Sequence, residues 1–226
     1  MKSIGIIGGV GPTTTSVFYE KIIYGCQNGK GKHRPLVVIS SVPAPYKTEK
    51  DAILKNILDG FKQVLIDEAK RLQKTGVDYI CMPCNTLHYF EKDIKKSIKI
   101  PFISIVDSTM NYIKKNGYKK VGIISTGGTV KNKVYENRFI ESKIDFVCPD
   151  ANDQKEMNNI ISRIVDNKLL DSDRKFIEQV IIKHKQNGAD CIALACTDLQ
   201  MLNPKGDIPI FDTMSQLSNR VIELIK

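Results

Sequence analysis

The chain reads as an α/β protein of two pseudo-symmetric lobes, each a parallel sheet flanked by helices, with the active site in the cleft between them. Three observations predict this. Short β-rich runs alternate with longer amphipathic stretches. Val121-Gly122-Ile123-Ile124 repeats Ile4-Gly5-Ile6-Ile7 almost letter for letter. The segment from Gly188 to Thr197 matches the one from Gly76 to Asn85, and in both a cysteine stands eight residues after the glycine, Cys84 in one and Cys196 in the other. Alternating strands and helices imply parallel sheets that present ligands at the carboxyl ends of their strands. A duplicated set of such units offers two equivalent rims to one cleft.

The elements follow in order. Ile4 to Ile7 is a strand, Thr14 to Tyr24 a helix and Leu36 to Ser40 a strand. A helical stripe of Ile53, Ile57, Phe61, Val64, Leu65 and Leu72 predicts one long helix from Ala52 to Lys74, ended by Gly76. Asp78 to Met82 is the next strand; it delivers Pro83-Cys84-Asn85-Thr86, and a helix follows over Leu87 to Ser97, then a strand over Ile100 to Ile105. The second half predicts a strand from Val121, a helix from Val130 to Ser142, a strand from Asp145 to Cys148, and helices from Gln154 to Val165 and from Arg174 to Asn187. The strand reaching Cys196, another over Ile208 to Asp212, and a closing helix from Met214 complete the chain. The expected division is 1–110 for the first lobe, with the helix of 213–226 packing back on it, and 111–212 for the second.

Composition narrows the function classes. Hydrophobic residues are 42% and charged residues 26% of the 226, the balance of a globular protein that buries a core. No stretch approaches a membrane span, and Met1 to Gly5 runs directly into a strand without the pattern of a signal peptide, so a cytoplasmic location and no membrane partner are expected. The net charge of +9 comes from lysines spread along the whole length, with no tryptophan beside them. Solvated helix faces explain it better than a nucleic-acid surface.

The chemistry concentrates at strand ends. Gly8-Gly9-Val10-Gly11-Pro12-Thr13-Thr14-Thr15 follows the first strand and opens a helix, where backbone amides hold anions well. It is no dinucleotide fingerprint: counted from Gly9 the third glycine is Thr14, Pro12 removes a donor, and the lysine of a P-loop is missing. A generic strand-to-helix turn is the alternative for this loop. Cys81-Met82-Pro83-Cys84 has redox or zinc spacing, but Cys81 sits inside a strand, and Cys191 to Cys196 has the wrong spacing for a second knuckle. No metal is expected. Cys84 and Cys196 differ from ordinary core cysteines because each ends an apolar strand, stands where a helix should begin, and precedes small polar residues. A helix N-terminus lowers a thiol's pKa, so both are candidate nucleophiles or bases.

Four segments in order, Gly8-Gly9-Val10-Gly11-Pro12, Pro83-Cys84-Asn85-Thr86-Leu87-His88, Ser125-Thr126-Gly127-Gly128-Thr129 and Ala195-Cys196-Thr197-Asp198, resemble the aspartate/glutamate racemase superfamily, its aspartate racemase branch in particular. Val10 stands where that branch has methionine, Ala195 where it has glycine and Asp198 where glutamate is common. The resemblance implies a cofactor-independent amino-acid racemase, a homodimer, that interconverts L- and D-aspartate or glutamate with Cys84 and Cys196 on opposite faces of the α-carbon. It further implies substrate contacts from Gly9, Gly11, Thr13, Asn85, Thr86, Thr126, Thr129 and Thr197, with Asp198 or His88 orienting the thiols or receiving the ammonium. The branch binds the substrate's side-chain carboxylate with an arginine in Pro-x-Arg-Thr; here that segment is Pro45-Tyr46-Lys47-Thr48, so Lys47 takes the role with a point charge and no bidentate fork. The second cation of the branch falls at Asp166, near Arg163 and Lys168. Hydantoin racemases, maleate isomerases and single-cysteine decarboxylases share the scaffold, and a dicarboxylate-binding protein without turnover is the non-enzymatic alternative.

Overall fold

The structure is a computed structural model that describes residues 1–27 and 34–226. Two four-stranded, wholly parallel sheets form it. The first has β1 (Ile4–Gly8), β2 (Val37–Ser41), β3 (Tyr79–Cys81) and β4 (Phe102–Ile103) in the order β2-β1-β3-β4. The second has β5 (Lys120–Ile124), β6 (Asp145–Val147), β7 (Cys191–Leu194) and β8 (Ile210–Asp212) in the order β6-β5-β7-β8. Each element of one sheet has its counterpart in the other. In both, the chain leaves a central strand to one side and returns to the other, which opens a crevice beyond the carboxyl ends of β1 and β3 and likewise of β5 and β7.

Side chains alternate across each strand, and that alternation builds three cores. Ile4, Ile6 and Cys81 of the first sheet share one buried cluster with Val121, Ile123, Cys191 and Ala193 of the second, so the two sheets hold a common core. Helices α1 (Pro12–Gln27), α5 (Ile105–Lys115) and α10 (Thr213–Ile225) contribute Phe18, Ile113 and Val221 to it. The opposite face of the first sheet, with Ile7 and Ile80, packs on α3 (Lys62–Lys74) and α4 (Glu91–Ser97). That of the second, with Ile124 and Ile192, packs on α8 (Ala151–Val165) and α9 (Asp171–Gln186). The closing helix α10 lies against α1 and α5.

Three sequence expectations need correction. The helix foreseen over 52–74 is two: α2 (Tyr46–Leu54) and α3, separated by a turn. Asn56 adopts φ of 58° there, and Gly60 approaches so closely that a Cβ would lie 2.8 Å from Thr48. Asparagine tolerates that left-handed backbone and glycine permits the close return, so the chain doubles back and leaves Ile57 of the supposed stripe exposed. The helix over 130–142 likewise divides into α6 (Gly127–Lys131) and α7 (Glu136–Ser142), with Lys133 at φ of 54° between them. The strand predicted to Ile105 stops at Ile103, and α5 begins at once, with Ser104 capping it through the amide of Asp107.

The break after α2 positions the site. A single helix from 52 would run along its own sheet, whereas α2 instead packs on α6 and α8 of the other half. It roofs the crevice between the two sets of strand ends. Among the described residues no helix is long and apolar enough to cross a membrane.

Candidate active site

A cavity of about 40 Å³ lies where the four central strands end. Val10 and Gly11 reach it from the end of β1, Cys84 to Leu87 from β3, Thr126 from β5, and Cys196, Thr197 and Asp198 from β7. Glu49, Ala52 and Ile53 of α2 and Ile161 and Val165 of α8 form the roof and far wall, with Phe61 beside them. At about 10–15 Å³ for each water it holds roughly three, fewer than the non-hydrogen atoms of an amino acid.

The two cysteines occupy equivalent places, one from each half, and line the same cavity. All six cysteines are free thiols, and Cys81 is buried in the common core. The turns after Cys84 and Cys196 are short 3-10 helices, Thr86–Phe90 and Leu199–Leu202, not the α-helices expected. Their amides, from Thr86 and Leu87 at Cys84 and from Asp198 and Leu199 at Cys196, do favour the thiolates. Burial outweighs them. It pushes the Cys84 thiol up to about 12, helped by the carboxylates of Asp198 and Glu49, and holds Cys196 well above the ordinary thiol range, with Asp198 adding to the effect. The expectation of helix-lowered thiols is therefore corrected: burial favours the protonated form of both at neutral pH.

Asp198 belongs to Cys196. The Cys196 thiol donates to its Oδ2 at 3.9 Å, and the hydroxyl of Thr14 donates to its Oδ1. Desolvation raises the carboxyl of Asp198 above its usual value while both hydrogen bonds pull it down. Thr14, buried in the first turn of α1, makes this contact; Thr13, the residue expected, is exposed and lines no part of the cavity. His88 also stays out of it. Its Nε2 accepts from the amide of Ile105 at 3.1 Å, so Nδ1 carries the proton and donates to the Cys84 carbonyl at 2.6 Å. Burial holds the ring below its ordinary pKa, so it is neutral and fixes the loop rather than the sulfur.

The polar residues after each cysteine divide into donors and ties. Thr86 Oγ1 lies 2.7 Å from Thr126 Oγ1 and 3.1 Å from Thr129 Oγ1, and the last two are 3.1 Å apart, a hydroxyl cluster joining the halves at the cavity edge. Asn85 lines the cavity, and its side chain donates to Thr213 Oγ1 at 2.9 Å and accepts from the hydroxyl of Tyr135. The hydroxyl of Thr197 donates to the Pro83 carbonyl at 3.2 Å. Both residues line the cavity, and their side chains also rivet each cysteine loop to the opposite half.

The glycine loop does hold an anion, one the protein supplies. The amide of Gly11 donates to Glu49 Oε1 at 3.2 Å. A Cβ on Gly11, at φ of 78°, would lie 3.0 Å from Asp198 Oδ1, so both acids crowd this turn. Gly9 serves the turn itself: its amide donates to Thr15 Oγ1, and a Cβ would meet Ser41 at 2.4 Å. Lys47 is exposed on α2 and does not line the cavity. Glu49, two residues on, does, and burial holds its carboxyl above the ordinary range. Sequence reasoning reached Thr14 only as part of the glycine loop and missed Glu49 and the apolar walls; only the proximity of Glu49 to the Lys47 segment hinted at its place. Among the described residues no cluster of histidine, cysteine and carboxylate side chains suits a metal ion.

Two matched parallel sheets around a shared cleft, with a cysteine from each half lining it, define the two-lobe α/β racemase class. The chain belongs to the Asp/Glu/hydantoin racemase family, whose sequence profile matches residues 7–219. It is an amino-acid racemase of the pyridoxal-phosphate-independent kind. A broad specificity amino-acid racemase of Bacillus subtilis is 29% identical over 225 residues, 97% of this chain and 96% of that one. The structure of an aspartate racemase from Picrophilus torridus superposes with a TM-score of 0.81 at 27% identity, covering 100% of this chain and 94% of the other. An aspartate racemase homologue from Pyrococcus horikoshii gives 0.80 at 28% identity, over 100% and 99%.

Proposed function

We propose that this enzyme inverts a free α-amino acid by exchanging its α-proton between Cys84 and Cys196, one on each face of the α-carbon. The observation that carries the reading is the pair of thiols at equivalent strand ends lining one cavity. Broad specificity in the Bacillus relative supports a free amino acid as the substrate.

The cysteine contacts suggest how a buried thiol becomes a base. Cys196 passes its proton to the Asp198 carboxylate that it already contacts, so the pair keeps a single negative charge and merely moves it to sulfur. The thiolate then removes the α-proton: the C–H bond breaks, an S–H bond forms, and the electron pair spreads into the α-carboxylate. The hydroxyl cluster of Thr86, Thr126 and Thr129 supplies the donors for that growing charge. Cys84, a thiol at neutral pH, delivers its proton to the opposite face and is left as thiolate. The proton count is unchanged and the enzyme is ready for the reverse reaction.

Incubation with L-amino acids in heavy water tests this. α-Deuteration together with appearance of the D-form is expected from the wild type and from neither Cys84→Ala nor Cys196→Ala; inversion by either variant at the wild-type rate overturns it. A homodimer in the cytoplasm accompanies this reading, and light scattering of the purified chain tests the dimer.

A further inference from the structure

Every acidic or basic side chain lining the cavity is an acid. Glu49 and Asp198 line it, and no lysine or arginine among the described residues does. Asp198 is committed to Cys196 and Thr14. Glu49 has one oxygen on the Gly11 amide and, among the described residues, no cation on the other. Beside Glu49 the cavity is lined by Ala52, Ile53, Ile161 and Val165, which suit methylene groups and offer nothing polar.

The neighbouring cations are already taken. Lys50 pairs with Asp166 at 2.6 Å, and Arg163 with Asp173 and Glu156. Asp166, though paired with Lys50, adds negative charge that Glu49 feels. A substrate carboxylate placed here would meet like charge in a desolvated cleft, the arrangement that rejects a partner most strongly.

We propose that the substrate carries a cationic side chain, whose methylenes lie along the apolar wall and whose ammonium or guanidinium docks on Glu49. Basic amino acids are then preferred over acidic ones, and Glu49 is the residue that sets the preference. The proposal rests on the racemase reading for what happens at the α-carbon, while the charge selection stands on the cavity alone. A docked cation also offsets the burial that now raises the Glu49 carboxyl.

The test is calorimetric titration of the full chain and of Glu49→Gln with L-lysine, L-norleucine and L-glutamate, followed by α-deuterium exchange of each in heavy water. Glutamine keeps an acceptor for the Gly11 amide and removes only the charge. Wild type should bind lysine at least about tenfold tighter than norleucine or glutamate, and Glu49→Gln should lower the lysine-to-norleucine ratio by about 10- to 100-fold, the worth of a charged hydrogen bond. Tighter binding or faster exchange of glutamate than of lysine overturns the proposal. Equal loss for all three in Glu49→Gln also overturns it, because Glu49 would then hold the α-ammonium common to them. Lysine binding without α-deuteration leaves charge selection standing and sinks the racemase reading instead. No binding of any of the three sinks both.

Discussion

Replacing Asp198 by asparagine removes the charge next to Cys196 and keeps an acceptor for Thr14. Two full charges on Cys196 and Asp198, at the 3.9 Å between Sγ and Oδ2, repel by about 4 kcal/mol at an effective dielectric constant of 20, about a thousandfold in ionisation. The doubly charged pair is thus scarcely populated, and the proton that leaves sulfur must stay on the carboxylate. In Asp198→Asn that acceptor is gone, and the thiol, still desolvated, must ionise to solvent. The expected loss in kcat at pH 7 is about 10²- to 10⁴-fold, the usual share of a positioned acid/base group. The pH profile separates this from a structural defect. In wild type the carboxylate must be ionised, so activity falls as pH drops through the raised Asp198 value; in the variant that limb disappears and activity climbs with pH toward the thiol's own ionisation. Asp198→Glu should restore part of the loss. An Asp198→Asn enzyme with kcat within about threefold of wild type and an unchanged acid limb would refute the reasoning.

Other substitutions address separate links in the argument. Cys84→Ala and Cys196→Ala should each reduce racemisation by at least about a thousandfold in a polarimetric assay, since the proposed mechanism gives each thiol one of its two acid/base roles. Lys47→Ala should change kcat/KM by no more than about twofold, as expected of an exposed side chain off the cavity, and a large rise in KM would restore it to the site. Asn85→Ala removes the closer acceptor of the buried Tyr135 hydroxyl, leaving only Thr109 Oγ1 at 3.5 Å, together with the bond to Thr213, and should cost about 1–3 kcal/mol, read as a lower urea midpoint.

Much of the fold was legible because duplication wrote it twice. The repeated strand and glycine spacing predicted parallel sheets and two equivalent cysteine positions before any contact was known. What escaped was local. Asn56 and Gly60 sit within a clean hydrophobic stripe, and periodicity alone does not reveal that the chain reverses there to carry α2 across the cleft. The same reversal hid Glu49. Its neighbours in sequence pointed to Lys47 as the charged contact, but helix geometry turns residues two apart to different sides, so Glu49 faces inward while Lys47 faces solvent. For Asn85 and Thr197 the limit was different: residue type showed that they make hydrogen bonds but not to what, and partners of both come from the other half.

The two halves share a scaffold but not a chemistry, and thermodynamics dictates where that inequality must surface. Two residues after the cysteine the first half has Thr86, part of a hydroxyl cluster, and the second has Asp198. Among the described residues only Cys196 has a carboxylate in hydrogen-bond contact to receive its proton, and in the proposed mechanism the enzyme form with that pair as base is the more populated. Because L- and D-forms of one amino acid are equal in free energy, kcat/KM must be the same in both directions whatever the enzyme's asymmetry. The difference can only be divided between its two factors. The enantiomer whose proton Cys84 must remove binds a minor form, which raises its KM by the inverse of that form's population. Its bound complex then runs downhill toward the favoured form, which raises kcat by the same factor. Measuring both constants for both enantiomers tests this, with matched increases expected for one of them; equal kcat and equal KM would mean that Asp198 gives Cys196 no advantage as a base.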